Sequence, residues 1–177
     1  MLSTERLKFR KMVNDDISIY HKWRNDFEVM FSTSLSLDLY SFEETKHFVE
    51  NIILGSSNSK SYIIEDKETN KPIGVTSLVN IDVKNQNAEV IIDIGEKNYW
   101  GKGLGTEALK IILEYAFLEL NLYRISLRVF SLNSKAIHIY TKLGFKQEGV
   151  SRQCLYRNGE WHDIIQMGIL KEEYLEK

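Results

Sequence analysis

Apolar and polar positions along this chain change period repeatedly, and each change marks an element. Leu7 and Phe9 stand two apart among charged residues, the alternation of a strand with one buried face. In "NDDISIYHKWRND" (14–26) acidic residues precede Ile17, Tyr20 and Trp23 at helical steps, which predicts an amphipathic helix over 16–31. "SFEETKHFVENII" (41–53) opens with Ser41 and Glu44 at the spacing of a capping box and carries Phe48, Val49 and Ile52 behind it, a second helix over 41–54. "KSYIIED" (60–66) and "PIGVTSLVNI" (72–81) read as strands joined by the turn residues 67–71, and "NAEVIIDI" (87–94) as a further strand. A helix over 105–120 places Leu109, Ile112 and Ala116 on one face, and "RISLRVF" (124–130) alternates Ile125, Leu127 and Val129. "SKAIHIYTKLGF" (134–145) is a short helix stopped by Gly144, and Asn158–Gly159 signals a hairpin between two closing strands. Strands interleaved with helices predict an α+β domain built on a mixed sheet.

Composition adds limits. The 177 residues suit one domain with a real core and are short for two, and a lone proline leaves no obvious linker, so 1–177 is expected to be a single domain. A net charge of -2 gives no electrostatic case for nucleic acid or a membrane surface, and neither is expected as a partner. No apolar run approaches the roughly 18 residues of a membrane span. The charged start "MLSTERLKFRK" lacks a signal-type apolar stretch, and Cys154 has no second cysteine, so a cytoplasmic protein is expected. His21, His47, His138 and His162 are scattered without zinc spacing, so no metal site is expected. Cys154 is expected to be a semi-buried strand residue, and Trp161 and His162 to be packing residues.

One stretch asks for an explanation beyond packing. "NYWGKGLGTEAL" (98–109) sets Gly101, Gly103 and Gly105 on alternate positions before the helix. The G-x-G-x-G spacing fits neither the dinucleotide fingerprint G-x-G-x-x-G nor a P-loop, whose Lys-Ser/Thr pair is missing. Exposed N–H groups at a helix start favour an anion such as phosphate; a glycine-rich turn without a ligand is the alternative.

Glu89 on the preceding strand, the glycines, Asn133, Tyr140 and the closing Gly144–Phe145 fall in an order that resembles the GNAT acetyltransferase superfamily, in the branch holding RimJ/RimL-like and spermidine N-acetyltransferases. The family pattern [QR]-x-x-G-x-[GA] is met by Trp100-Gly101-Lys102-Gly103-Leu104-Gly105, with Trp100 as a departure at the first position. The resemblance runs from about Arg6 to Leu170. It implies a central, mostly antiparallel, splayed sheet flanked by helices, and an enzyme that moves acetyl from acetyl-CoA directly onto a primary amine. The pyrophosphate would lie on the N–H groups of 101–106, so Trp100, Gly101, Lys102, Gly103, Leu104, Gly105 and Thr106 are cofactor-site residues. Lys102 would add a charge. The pantetheine arm would run along Ile92, Asp93 and Ile94, and Asn133, Lys135, Ala136, Tyr140 and Lys142 on the following helix would complete the site.

The same resemblance implies two catalytic residues. Glu89 matches the general-base position of several branches, against the alternative of a solvent-facing strand charge. Tyr140 matches the family's tyrosine that protonates the departing thiolate, against a buried core tyrosine.

The acceptor end is less legible. Trp23, Arg24, Met30, Phe31 and Tyr40 read as a mixed apolar and polar pocket wall, or as core. Spermidine acetyltransferases gather acids in the connection before the second helix and on the third strand; here that region offers Asp38, Glu43 and Glu44, with Asn80 where an acid is expected. The expected acceptor is therefore a protein N-terminus or a small-molecule amine such as an amino sugar, with a polyamine second. A non-catalytic acyl-CoA-binding domain is the reading from a different class. A homodimer is possible on the branch's habit.

Overall fold

The computed structural model describes residues 2–176. Seven strands form one sheet in the order β1-β2-β3-β4-β5-β7-β6. They are β1 (Leu7–Lys11), β2 (Lys60–Asp66), β3 (Pro72–Asp82), β4 (Asn87–Ile94), β5 (Arg124–Phe130), β6 (Lys146–Arg157) and β7 (Glu160–Leu170). The helices are α1 (Ile17–Arg24), α2 (Phe27–Met30), α3 (Phe42–Phe48), α4 (Leu104–Glu114), α5 (Ser134–Lys142) and α6 (Lys171–Leu175). Neighbouring strands run antiparallel except β4 and β5, which are parallel, so the expected α+β fold with a mixed sheet is what forms.

Both faces of the sheet are covered, and the strand pleat divides the core between them. In β2, Tyr62 and Ile64 join the larger cluster with Leu104, Ala108, Leu109 and Ile112 of α4, while Ile63 between them joins Met12, Ile17, Val49 and Val75 on the other face. The same alternation decides β4. Ala88 and Val90 enter the larger cluster and Ile92 and Ile94 pack against it, so Glu89, Ile91 and Asp93 face the layer of α1 and α3.

The β4–β5 pairing is short. It runs from Asn87↔Arg124 to Glu89↔Ser126 and then stops, although both strands continue. Beyond Glu89 the edge of β4 has no strand beside it, and the cleft that opens there holds the candidate site. This is the splay that the resemblance implies.

Several elements depart from the sequence pattern. The helix expected over 16–31 is broken in two, because Asn25 ends α1 and the Asp26 carboxylate caps α2, accepting from the N–H groups of Glu28 (3.0 Å) and Val29 (3.4 Å). α3 and α4 end in wide π-type turns, Val49–Leu54 and Tyr115–Glu119. α6 adds a terminal turn the pattern does not announce. Asn158 and Gly159 both take positive φ (51° and 83°), as a two-residue hairpin turn requires. Cys154 is exposed rather than semi-buried, because it sits in the irregularity of β6 between Ser151 and Leu155. No helix among the described residues is long and apolar enough to cross a membrane.

Candidate active site

The glycine loop meets α4 in a way that leaves main-chain donors free. Gly103 is the residue before the helix and has φ 77°, so no side chain caps the first turn. The N–H groups of the first turn have no partner within the helix, and the helix dipole adds partial positive charge there. Gly101 (φ 73°) and Gly103 both occupy the left-handed region, and a Cβ at either would point into open space, the nearest atom being Arg6 Nη2 at 3.9 Å from Gly103. Gly105 needs no such backbone; a Cβ there would meet Ile94 Cγ1 at 3.8 Å, an ordinary contact. Arg6 fixes the loop from outside. It pairs with Glu107 in the first turn of α4 and donates from Nη1 to the Lys102 carbonyl at 3.1 Å.

From this loop a groove of about 340 Å³ runs along the open edge of β4, lined by Ile92, Asp93, Ile94, Trp100, Gly105, Asn133, Lys135, Ala136 and Tyr140. Trp100 takes the place of the family's Gln or Arg by packing on the groove and donating Nε1 to the Ile94 carbonyl at 2.7 Å. Lys102 and Lys142 are exposed, and both lie outside the groove lining. Leu104 turns its side chain into the core, so only its main chain faces the loop. Asn133 is occupied structurally. Its side chain accepts from Ala136 N–H (3.2 Å), capping α5, and donates to the Ser32 carbonyl (3.4 Å).

A second cavity of about 490 Å³ lies on the other side of Asp93, between β4, β5, α1, α3 and the connection 31–40. Its lining includes Tyr20, Arg24, Met30, Tyr40, Phe48, Glu89, Asp93, Arg128 and Tyr140. Met30 and Tyr40 are thus where the sequence places them. Trp23 and Phe31 are not. Trp23 is buried against Gly95, where a single added carbon would collide with its ring, and it donates Nε1 to Glu96 at 3.0 Å. Its absence from the larger cavity follows from helix geometry: Tyr20 and Arg24, four apart, share the cavity face, and Trp23 is rotated off it. Phe31 turns toward β6, its ring 5.8 Å from the Arg157 guanidinium. Asn80 also lies away from the cavity, on a left-handed residue (φ 53°) at the bulge of β3, so its identity does not shape the site. Glu43 and Glu44 belong to α3 outside the lining, with Glu44 closing its capping box on Ser41.

Asp93 and Tyr140 line both cavities and stand where they meet. Burial raises the Tyr140 hydroxyl to about 12, and the nearby Asp93 charge adds to the rise, so the phenol holds its proton at neutral pH. The Asp93 carboxyl is lifted by burial to about 6, with the Thr33 hydroxyl opposing the shift. Glu89 is differently placed. Its Oε1 accepts from Arg128 Nε at 2.8 Å, at the level where β4 and β5 are still joined. Asp93 lies four strand steps from it, about 13 Å along the same face. The resemblance implies Asp93 only as a residue of the pantetheine groove, and inside the apolar run "EVIIDI" its carboxylate carries no signal of its own.

A splayed parallel pair, an uncapped glycine-initiated helix and a tyrosine at the cavity junction agree with comparison to known proteins. The family described as Acetyltransferase (GNAT) domain matches residues 6–146. The chain belongs to the GNAT acetyltransferase family. It is 33% identical, over 98% of its own length and 97% of the relative's, to an uncharacterized N-acetyltransferase p20 of Bacillus licheniformis. It is 35% identical to the spermidine N(1)-acetyltransferase of Escherichia coli (strain K12), covering 99% of this chain and 91% of that one. The crystal structure of spermidine N-acetyltransferase from Vibrio cholerae in complex with CoA and spermine superposes with a TM-score of 0.87 at 28% identity, over 97% of this chain and 99% of that one. The protein is therefore an acetyl-CoA-dependent N-acetyltransferase acting on an amine. The loop around Gly103 fits the anionic end of that cosubstrate, since its free N–H groups and absent side chains make the cradle such an anion needs.

Proposed function

We propose that this acetyltransferase acts on a primary amine of low charge, such as a peptide N-terminus or an amino sugar, rather than on a polyamine. The observation that carries this reading is the charge of the larger cavity. Arg24 and Arg128 stand in its wall beside Glu89 and Asp93, so its formal charges cancel, and one acid is already engaged by one arginine. A polycation selects several carboxylates free to receive it. Asp38 on the connection and Glu43 and Glu44 on α3 do not reach the lining. The spermidine acetyltransferases among its relatives supply the second reading.

Bound acetyl-CoA supplies an acetyl group activated as a thioester. The groove residues orient it, with main-chain donors of the glycine loop at one end and the open edge of β4 along its length. An incoming lysine-like amine has a pKa of roughly 10.4 and attacks only after losing a proton. Asp93 is assigned that proton. A carboxyl near 6 is about two units closer to the amine than an ordinary aspartate, which lowers the cost of transfer by about 3 kcal/mol. Tyr140, neutral and with no hydrogen bond from its hydroxyl to any described residue, is assigned the proton given to the departing sulfur. Glu89, the base position implied by the resemblance, is held in its pair with Arg128 and shapes the far wall of the cavity instead.

Steady-state kinetics with spermidine, a short peptide and glucosamine, at low and physiological salt, test the acceptor. Spermidine is expected to show a KM in the millimolar range that worsens as salt screens diffuse attraction, with better turnover of the less charged amines. A micromolar, salt-resistant KM for spermidine without peptide or amino-sugar activity would make the protein a polyamine acetyltransferase.

A further inference from the structure

Arg24 is held in the acceptor cavity in a way that its structural surroundings do not complete. Its guanidinium carbon lies 3.7 Å from the centre of the Tyr40 ring and 4.4 Å from that of Phe48. A guanidinium stacked on rings keeps its five N–H donors in its own plane, available to a ligand rather than to the rings. None of those donors forms a hydrogen bond or ion pair with a described residue, and Nη1 is buried without a partner. Four other arginines are held in ion pairs, while Arg157, which donates from Nη2 to Ser34, also leaves its buried Nε without a partner. Arg6 pairs with Glu107, Arg10 with Asp16 and Glu65, Arg124 with Glu148, and Arg128 with Glu89. A buried donor left open is costly, and native proteins keep few of them without a reason.

The stacking is fixed, not incidental. Asn25, which ends α1, accepts from Tyr40 N–H at 2.8 Å and donates to the Tyr40 carbonyl at 3.2 Å, so both main-chain groups of Tyr40 are clamped beside Arg24. Arg157 Nη2 donates to the Ser34 carbonyl and holds the middle of the same connection. The charged groups near Arg24 are few. Glu44 on α3 feels its charge but is exposed and closes the Ser41 cap. Asp93 on β4 lies across the cavity. Tyr20 lies within the field of both poles: burial raises its hydroxyl to about 12, Asp93 adds to the rise and Arg24 opposes it.

We propose that the acceptor is a primary amine that also carries an anionic oxygen group, a carboxylate or a phosphate, and that this anion docks on the free edge of Arg24 while the amine end meets Asp93 beside Tyr140. The planar fork of a guanidinium matches two oxygens of either anion, which a lysine would not do. Arg128 is unsuited to the role because Glu89 already neutralises it. This inference rests on the low-charge acceptor reading and narrows it to amines whose net charge is near zero or negative.

Matched acceptors test it. The purified full chain is assayed with acetyl-CoA and glucosamine against glucosamine 6-phosphate, and with β-alaninamide against β-alanine. The anionic member of at least one pair is expected to have a kcat/KM about ten- to a hundredfold higher, carried by KM, as a charge-assisted bond supplies. Which pair responds separates phosphate from carboxylate. In Arg24→Met that ratio is expected to fall to about one, and Arg24→Lys, which keeps the charge and loses the fork, should restore only part of it. Calorimetry of the favoured anionic acceptor with the CoA-bound protein should show the same loss of affinity without turnover. Equal use of charged and neutral members by the parent protein overturns the inference, as do Arg24 variants that lower both members alike. If Arg24→Met does not fold, the parent ratios and the Lys variant decide. Spermidine exceeding all four amines at physiological salt would overturn the low-charge reading as well; good turnover of the neutral amines without preference would overturn only this one.

Discussion

The two cavities that meet at Asp93 and Tyr140 are built on different principles. The groove proposed for the cosubstrate offers main chain: a left-handed Gly103, uncapped N–H groups and an unpaired strand edge. The cavity proposed for the acceptor is walled by side chains, with Arg24 stacked on Tyr40 and Phe48 and Glu89 paired to Arg128. A main-chain site is indifferent to most substitutions and sensitive to a few glycines. A side-chain site is the reverse, and it can be rewritten residue by residue while the groove stays as it is. On the proposed assignment, acceptor choice can therefore change within this fold without any change in the groove.

The largest effect expected from breaking the contrast is at Gly103. Gly103→Val puts a branched side chain at φ 77° into the space left for the anion, and CoA binding measured by calorimetry should disappear while circular dichroism stays close to the parent's. Gly105→Ala sharpens the point, since its Cβ would make an ordinary contact at 3.8 Å and its backbone is unstrained; affinity should stay within about fivefold. Normal CoA binding by a folded Gly103→Val protein would remove the loop from the site.

Next in size is Tyr140→Phe, which keeps the ring and its edge contact with Phe145 and deletes only the hydroxyl. Rapid-quench measurement of the chemical step should show a fall of about 10²–10⁴ in rate with KM for acetyl-CoA nearly unchanged. An unchanged rate would leave Tyr140 as packing.

Glu89→Gln should cost less, about tenfold or under in kcat/KM, because it loosens Arg128 without removing the proton acceptor. The remaining effect is on stability, not on rate. A carboxyl whose folded pKa is about 6 and whose unfolded pKa is near 3.8 binds more protons folded than unfolded between those values, so stability falls as pH rises through that window. Asp93→Asn should therefore raise the melting temperature at pH 7.5 by an amount equivalent to roughly 1–3 kcal/mol. At pH 4 it should leave the temperature nearly unaltered. Equal melting curves at both pH values would mean that Asp93 is not desolvated.

Legibility in the sequence follows the same division. The glycine loop, the strand Asn87–Ile94 and the helix ending at Gly144 announce themselves through local pattern, because φ and periodicity are local properties. What escaped was tertiary. The break between Arg24 and Phe27 depends on Asp26 capping α2 and on Asn25 reaching Tyr40, fifteen residues on. Trp23 and Arg24 are neighbours in sequence, yet one packs on Gly95 and the other opens onto the cavity, a choice set by which helix face meets β4. Asp93 looked like one polar residue in a buried strand; only the parting of β4 from β5 gives its side chain a cleft to face. The open donors of Arg24 are invisible until every possible partner has been placed.

The account turns on Asp93 as the proton acceptor at the junction, and the dependence of kcat/KM on pH tests that most directly, measured under chemistry-limited conditions for the parent, Asp93→Asn and Glu89→Gln. The parent should gain activity through an apparent pKa of about 6 and then level off, and Glu89→Gln should keep that limb. Asp93→Asn should lose the limb and rise steadily with pH, because its rate would follow the small fraction of acceptor already neutral. An Asp93→Asn protein that retains the parent's limb and rate, with the limb lost in Glu89→Gln, would contradict the account and return the base to Glu89.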